Sequence, residues 1–147
     1  FTASRGAGAQ LNGHRLRVSK VAHLEDALIG TGFPVRRKAH IRPYVSSLAT
    51  LLERCADVRR AGAAALDLAH VACGRLDGFW EFGLQPWDIA AGSLLVLEAG
   101  GLVGDPNGGE KHMDKGDIVA GNAKVFRQLL GALATREGGR AASSEQA

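Results

Sequence analysis

The sequence has little of what disulfide frameworks, cysteine-rich metal sites and membrane spans require. Its 147 residues include two cysteines, Cys55 and Cys73, which form no C-x-x-C pair and lie among apolar residues at helical spacing. Such cysteines are typical of buried thiols in a cytosolic protein rather than of a disulfide. No run of eighteen apolar residues occurs, so we expect no membrane-spanning helix. The length of the chain predicts a single domain, and its cysteine usage predicts a cytoplasmic location.

The residue patterns of several functional classes are also missing. The five histidines show no H-x-x-x-H or H-x-x-E-H spacing, and no serine lies in a G-x-S-x-G turn, which argues against zinc and serine-hydrolase chemistry. The net charge is +3, and the basic residues are dispersed without interleaved aromatic residues, which make up 5% of the chain. We identify no direct nucleic-acid site from this pattern. A solvated surface is favoured over a weakly bound acidic partner.

What the sequence does contain is an alternation of short strands and apolar helices. Strands are predicted at 27–31, 58–60, 76–82, 102–104 and 118–120, and helices at 41–55, 65–73, 86–99 and 124–134. This order is typical of a layered α/β fold, with a mixed sheet flanked by helices.

The first 18 residues are predicted to form a β-hairpin that turns at Asn12-Gly13. A lone hairpin is only marginally stable in water, so this one needs a sheet in another chain or in a part of the protein outside this sequence. Because the chain also begins at Phe1 rather than at a methionine, we expect a fragment. Residues 19–135 are predicted as an α/β subdomain, and residues 136–147, which lack apolar periodicity, as a disordered tail.

The stretch Gly74–Gly101 presents two acids on a strand-to-helix loop. Glu81 ends the predicted strand, and Asp88 follows Pro86 and Trp87 at the predicted helix start. Two carboxylates in this arrangement suit an oxygen-liganded metal or a polyol. The alternative is that Asp88 only caps the helix. No D-x-D or E-E pair is present to complete a magnesium site.

A second candidate site begins at Arg59-Arg60 and continues through Gly62, Ala63 and Ala64. Small residues at a helix N-terminus leave backbone N–H groups open to phosphate or hydroxyl oxygens, and two arginines add positive charge. The alternative is that glycine and alanine serve close helix packing here.

Longer runs of the sequence resemble the inositol monophosphatase family. Pro86-Trp87-Asp88-Ile89-Ala90-Ala91-Gly92 with Glu98-Ala99-Gly100-Gly101 is similar to the C-terminal signature of that family. Three further runs match in order: Phe1-Thr2-Ala3 with Gly6-x-Gly8-Ala9-x-x-Asn12-Gly13, Arg60-x-Gly62-x-Ala64-Ala65-Leu66-Asp67, and Ile118-Val119-Ala120-Gly121-Asn122. The resemblance covers Phe1 to about Leu133 and is closest to the bacterial inositol-1-monophosphatase branch.

The resemblance implies the C-terminal half of an αβαβα sugar-phosphatase fold and a magnesium-dependent, lithium-sensitive phosphomonoesterase that is commonly a homodimer. It implies that Asp88 is a metal ligand bordering the substrate and that Glu81 hydrogen-bonds ring hydroxyls of inositol. The other substrate-binding positions implied are Gly62, Ala63, Ala64 and either Arg59 or Arg60. Animal members often carry a hydroxyl side chain where this chain has Ala63, so backbone contacts are expected there.

Two upstream runs of the family are absent: a Glu-Glu pair and an Asp-Pro-x-Asp-Gly-Thr segment. They supply the remaining metal ligands and hold the attacking water. We therefore expect no catalytic group in this half and no phosphatase activity from it alone. The alternatives are a related sugar, histidinol or nucleotide phosphate as substrate, a role in transcription antitermination with a partner in the transcription complex, and a degenerate interaction module.

Overall fold

The computed structural model describes residues 1–138, which form eight strands and five α-helices. The strands are β1 Thr2–Ser4, β2 Gly8–Leu11, β3 His14–Arg15, β4 Leu28–Thr31, β5 Asp57–Arg59, β6 Gly78–Glu81, β7 Leu102–Gly104 and β8 Ile118–Gly121. The helices are α1 Ile41–Leu52, α2 Ala64–Ala72, α3 Pro86–Glu98, α4 His112–Lys115 and α5 Ala123–Gly138. Within these residues no helix combines the length and apolar character needed to cross a bilayer.

Five strands form a mixed sheet in the order β5-β4-β6-β8-β7. β4 pairs in parallel with β5 and with β6, whereas β8 is antiparallel to both β6 and β7. Asp77 fastens the start of the β4–β6 pair, because its N–H donates to the Leu28 carbonyl at 2.9 Å and its Oδ2 accepts from the Leu28 N–H at 2.7 Å. The predicted α/β fold with a mixed sheet flanked by helices is confirmed.

Both faces of this sheet are covered by helices. Successive residues of β6 point to opposite faces, so Phe79 packs with α2 and α3 while Trp80 packs with α1 and α5, and both side chains are fully buried. The strand is apolar on both faces for that reason, as expected of a sheet buried between helix layers.

The first residues form a separate three-stranded sheet, β1-β2-β3, that packs on α3. Asn12 and Gly13 take φ values of 51° and 80°, the left-handed pair that a two-residue hairpin turn requires, so the predicted turn is confirmed. Glu98 at the end of α3 accepts hydrogen bonds from the Gly6 and Gly8 N–H groups, both at 2.8 Å. That this small sheet belongs to a larger one stays a prediction.

Two features differ from the sequence-based expectation. α4 was not predicted, because a four-residue helix between two loops has no periodicity to detect. α5 continues to Gly138, three residues into the predicted tail, since Arg136 and Glu137 are compatible with a helix once the helix has started. Residues 139–147, the rest of that tail, lie outside the described residues.

Close packing of α2 on α3 depends on Gly92. A Cβ added there would lie 2.5 Å from Leu68 Cβ and 2.6 Å from Leu68 Cδ1. We expect Gly92→Ala to lower the free energy of unfolding by about 1–3 kcal/mol through overpacking, measured by urea denaturation. Gly131→Ala in α5 is the matched control, because among the described residues no atom beyond its chain neighbours and the adjacent helix backbone lies within 4 Å of its added Cβ, and alanine favours the helix by about 0.5–1 kcal/mol. Equal stability of Gly92→Ala and the parent would contradict this packing.

Candidate functional site

A cleft of about 340 Å³ lies where the three parallel strands β4, β5 and β6 end. Carboxyl ends of parallel strands meet at one edge of a sheet, which is where open α/β sheets bind ligands. The helices that follow β5 and β6 also begin at this edge. Of the positions predicted from the sequence, the cleft is lined by Gly62, Ala63, Ala64, Glu81 and Asp88.

Glu81, the last residue of β6, lies at the floor of the cleft. Its carboxyl group receives no hydrogen bond from the described part of the chain. Burial, together with the nearby carboxylates of Asp67 and Asp88, raises the pKa of Glu81 to about 7, against the lowering effect of Arg60. At neutral pH this carboxyl group is therefore able both to donate and to accept hydrogen bonds.

Asp88 is the third residue of α3 and not its N-cap. Gln85 occupies the N-cap position, because Pro86, whose fixed φ suits the first helical turn, starts the helix. The Gln85 N–H donates to Asp88 Oδ2 at 2.9 Å. This corrects the interpretation of Asp88 as the N-cap: its carboxylate closes the first turn from inside the helix and leaves Oδ1 without a hydrogen bond from the described residues.

The start of α2 forms the opposite wall. Gly62 has a φ of +94°, a conformation that favours glycine, and Ala63 is the N-cap without a side chain able to cap the helix. The first N–H groups of α2 are thus left for other acceptors. Ala63 and Ala64 line the cleft through small side chains, which give a ligand access to this backbone.

Asp67 was not predicted as part of the site, but it lies close enough to Glu81 for its charge to raise the pKa of that acid. It lies one turn into α2, is 2% exposed, and its Oδ2 has no hydrogen-bond partner among the described residues. Burial raises the pKa of Asp67 to about 6, with Arg60 acting to lower it. The signal available in the sequence was a single acid inside an otherwise apolar helical segment.

The two neighbouring arginines lie in different places. Arg59 is an exposed residue that pairs with Asp57 at 2.7 Å and does not line the cleft. Arg60 does line it, with its guanidinium carbon 4.9 Å from the centre of the Phe33 ring. Arg59 is the last residue of β5 and Arg60 is the first residue after it, and the structure brings Arg60 and not Arg59 to the predicted site.

A loop after β4 forms the rest of the rim and was not predicted as part of the site. It contributes Gly32, Phe33, Arg36 and Arg37 to the lining. Its sequence signal was the position directly after a strand, where loops of α/β folds carry function, together with two consecutive arginines.

The carboxylates of the cleft do not complete a metal site. Asp67, Glu81 and Asp88 are close enough for their charges to interact, but residues 1–138 hold no group of three or more His, Cys, Asp or Glu side chains arranged to bind a metal ion. Magnesium needs several oxygen ligands, so further ligands from outside the described chain are required.

A larger cavity of about 540 Å³ lies on the other side of the sheet, between α1, α5 and the loop at Asp105. None of the predicted site residues lines it. Both carboxylate oxygens of Asp105 accept hydrogen bonds from backbone N–H groups of its own loop, so this acid stabilises the loop. The cleft at the strand ends is the stronger candidate.

Comparison with known proteins agrees with the geometry. The profile of the inositol monophosphatase family matches residues 1–138. A protein of Escherichia coli K12 named Nus factor SuhB is 55% identical over 130 residues, which cover 88% of this chain and 49% of that protein. The chain thus spans about half the length of the relatives it matches.

Solved structures give the same result. The extragenic suppressor protein suhB of Bartonella henselae matches with a TM-score of 0.87 at 48% identity, over 90% of this chain and 52% of that one. An inositol monophosphatase from Anabaena matches with a TM-score of 0.85 at 39% identity, over 90% of this chain and 53% of that one. The layered α/β architecture is therefore that of these proteins.

The raised pKa of Glu81 predicts a pH-dependent stability. The unfolded chain loses the Glu81 proton near 4.5 and the folded chain near 7, so the free energy of unfolding falls as pH rises between these values. We expect Glu81→Gln to be more stable than the parent at pH 8, by about 1–3 kcal/mol, and equal to it at pH 4, in urea denaturation at a series of pH values.

Glu98→Gln is the control of opposite sign for this pH series. The N–H groups of Gly6 and Gly8 lower the pKa of Glu98, so its stabilising effect is present above its ordinary pKa and is lost as the pH falls. Its replacement lowers stability at neutral pH. A Glu81→Gln variant that is destabilised at pH 8 like Glu98→Gln would contradict the burial of the Glu81 carboxyl group.

Proposed function

Because the chain belongs to the inositol monophosphatase family, we propose that the whole protein is a magnesium-dependent phosphomonoesterase that hydrolyses inositol 1-phosphate to inositol and phosphate. This chain, half the length of its relatives, supplies substrate-orienting groups and one metal ligand. A cytoplasmic location, inhibition by lithium and a homodimeric state are parts of the same proposal.

The observation that carries the proposal is the Glu81 carboxyl group, held at the floor of the cleft without a partner from the described residues. A half-buried acid that both donates and accepts suits hydroxyl groups, which do the same. A ligand without hydroxyls would leave this acid desolvated and unpaired, which a binding site penalises strongly. A polyhydroxylated ring is therefore the favoured substrate body.

The N-terminus of α2 and Arg60 are suited to bind the anionic part of the substrate. Uncapped N–H groups at a helix N-terminus favour negatively charged oxygens, and the guanidinium of Arg60 adds positive charge to that wall. Asp88 is the metal ligand that this chain would contribute, through the oxygen that does not bind Gln85. Magnesium, when bound, supplies charge neutralisation of the phosphate and activation of a water molecule.

Other phosphomonoesters are the near alternatives. A sugar phosphate has similar hydroxyls, whereas histidinol phosphate and nucleotide phosphates present fewer of them to Glu81. A panel of these substrates separates the alternatives by kcat/KM. The proposal requires inositol 1-phosphate to lead the panel, and a leading histidinol or nucleotide phosphate would replace it.

A second candidate function follows from the names of the relatives. Nus factor SuhB of Escherichia coli K12 is 55% identical to this chain, so a role as a transcription factor with a partner in the transcription complex is a second proposal. An Asp88→Asn variant of the whole protein separates the two functions. Loss of both phosphatase activity and the transcription role would tie that role to hydrolysis, while a retained transcription role would make it a binding function.

We expect the 147-residue chain alone to release no phosphate from inositol 1-phosphate in the presence of magnesium, because its carboxylates do not complete a metal site. A fusion that places the unmatched half of the Escherichia coli relative before this chain is expected to be active. In the fusion, Asp88→Asn should lower kcat at least about 100-fold, and Asp26→Asn, an exposed acid in a 3₁₀ turn, should not. Magnesium-dependent activity of the chain alone would disprove the division of the site.

The two arginines give a matched pair of variants in the same fusion. Arg60→Ala is expected to raise KM for inositol 1-phosphate about tenfold, the loss of one charge-assisted interaction of about 1.4 kcal/mol. Arg59→Ala, which removes an exposed ion pair with Asp57, is expected to leave KM within about twofold. The opposite ranking in steady-state kinetics would return Arg59 to the site and remove Arg60.

A further inference from the structure

Two glycines near the end of β4, Gly30 and Gly32, lack a conformational reason to be glycine. Neither is among the glycines with positive φ, so an L-residue fits the backbone at both positions. The requirement is therefore one of space. At Gly30, which is opposite Phe79 in the parallel register, an added Cβ would lie 2.8 Å from Leu76 Cδ1 and 3.1 Å from Phe79 Cδ2. Gly30 thus makes room for the hydrophobic core.

Gly32 makes room for something else. A Cβ added at Gly32 would overlap the carboxyl group of Glu81, and its three nearest atoms would be Glu81 Cδ, Oε1 and Oε2. The carboxyl group of Glu81 therefore lies beside the end of β4. It occupies the volume that the Cβ atom of any other residue at position 32 would need.

This position decides the environment of the Glu81 carboxyl group. It brings the group within the influence of Asp67 and Asp88, which are both acidic, and of Arg60. It also keeps the group at the floor of the cleft instead of in open solvent.

We propose that Gly32 is a positioning residue of the substrate site: the absence of a side chain there holds the Glu81 carboxyl group at the depth where it selects polyhydroxylated phosphomonoesters. The positioning is a property of this chain, and the selection rests on the proposed function. Gly32 touches no reacting atom and acts through Glu81.

Substitution at position 32 has a different physical cost from substitution at position 30. The atoms that Gly32→Ala displaces are the far end of a flexible side chain, so the fold is kept and the acid moves out. Gly30→Ala presses on Leu76 and Phe79 in the core, so it lowers stability without moving Glu81. The pair separates loss of positioning from general destabilisation.

The first test follows the pKa of Glu81 by carboxyl ¹³C NMR in the 147-residue chain, with circular dichroism to check that each variant is folded. The parent is expected to titrate near 7. In Gly32→Ala, and in Gly32→Ser as a second variant, the pKa of Glu81 should fall towards its ordinary value because the carboxyl group becomes solvated. Gly30→Ala should keep the parent value. A pKa near 7 in both Gly32 variants would overturn the proposal.

The second test measures selectivity in the active fusion. Gly32→Ala is expected to lower kcat/KM for inositol 1-phosphate about tenfold or more, mainly through KM, and to lower kcat/KM for p-nitrophenyl phosphate, which has no ring hydroxyls, by a much smaller factor. In a Glu81→Ala background, Gly32→Ala should have no further effect, because the two residues act as one unit. Additive losses would overturn the proposal.

The two tests fail separately. If Glu81 titrates as expected in the Gly32 variants while the two substrates are affected equally, the positioning stands and the selection of polyhydroxylated substrates is refuted. If the fusion hydrolyses neither substrate, the proposed function fails and the titration still decides the role of Gly32.

Discussion

The parallel pairing of β4 between β5 and β6 is the constraint on which the candidate site depends. It places three strand ends at one edge of the sheet and directs α2 and α3 to begin there. Asp77, bonded in both directions to Leu28 at the other end of β4, fixes the register of this pair. Because side chains alternate along each strand, that register decides which residues enter the cleft and which enter the core.

The chemistry of the cleft follows from its acidic side chains, whose negative charge at this edge of the sheet is only partly compensated by nearby positive charge. Asp67 and Glu81 are partly desolvated, and the carboxylates of Asp67 and Asp88 disfavour the charged form of Glu81, while Arg60 favours the charged forms of Asp67 and Glu81. Such an arrangement costs folding free energy, because the charged forms are held where water is scarce. A ligand that brings hydroxyls or positive charge relieves it. Uncompensated charge of this kind is typical of ligand-binding sites.

Much of the fold could be predicted, but the site only in part. The apolar periodicity of α1, α2 and α3 and the Asn12-Gly13 turn are local signals, and each leads to an element close to its observed bounds. Arg59 and Arg60 are equivalent by sequence, and only the folded chain shows that Arg60, the residue after β5, lines the cleft while Arg59 pairs with Asp57. Gly32 carried no signal, because its role is to leave space for a residue 49 positions later in the chain.

The sequence by itself determined most of the secondary structure, the family resemblance and the identity of the two acids, Glu81 and Asp88, because these depend on neighbours a few positions apart. The tertiary structure alone decided that Asp67 Oδ2 is buried without a hydrogen-bond partner among the described residues, and that Gly32 and Glu81 share one volume. These facts depend on distances between segments that the chain brings together only when it folds, so no local pattern encodes them.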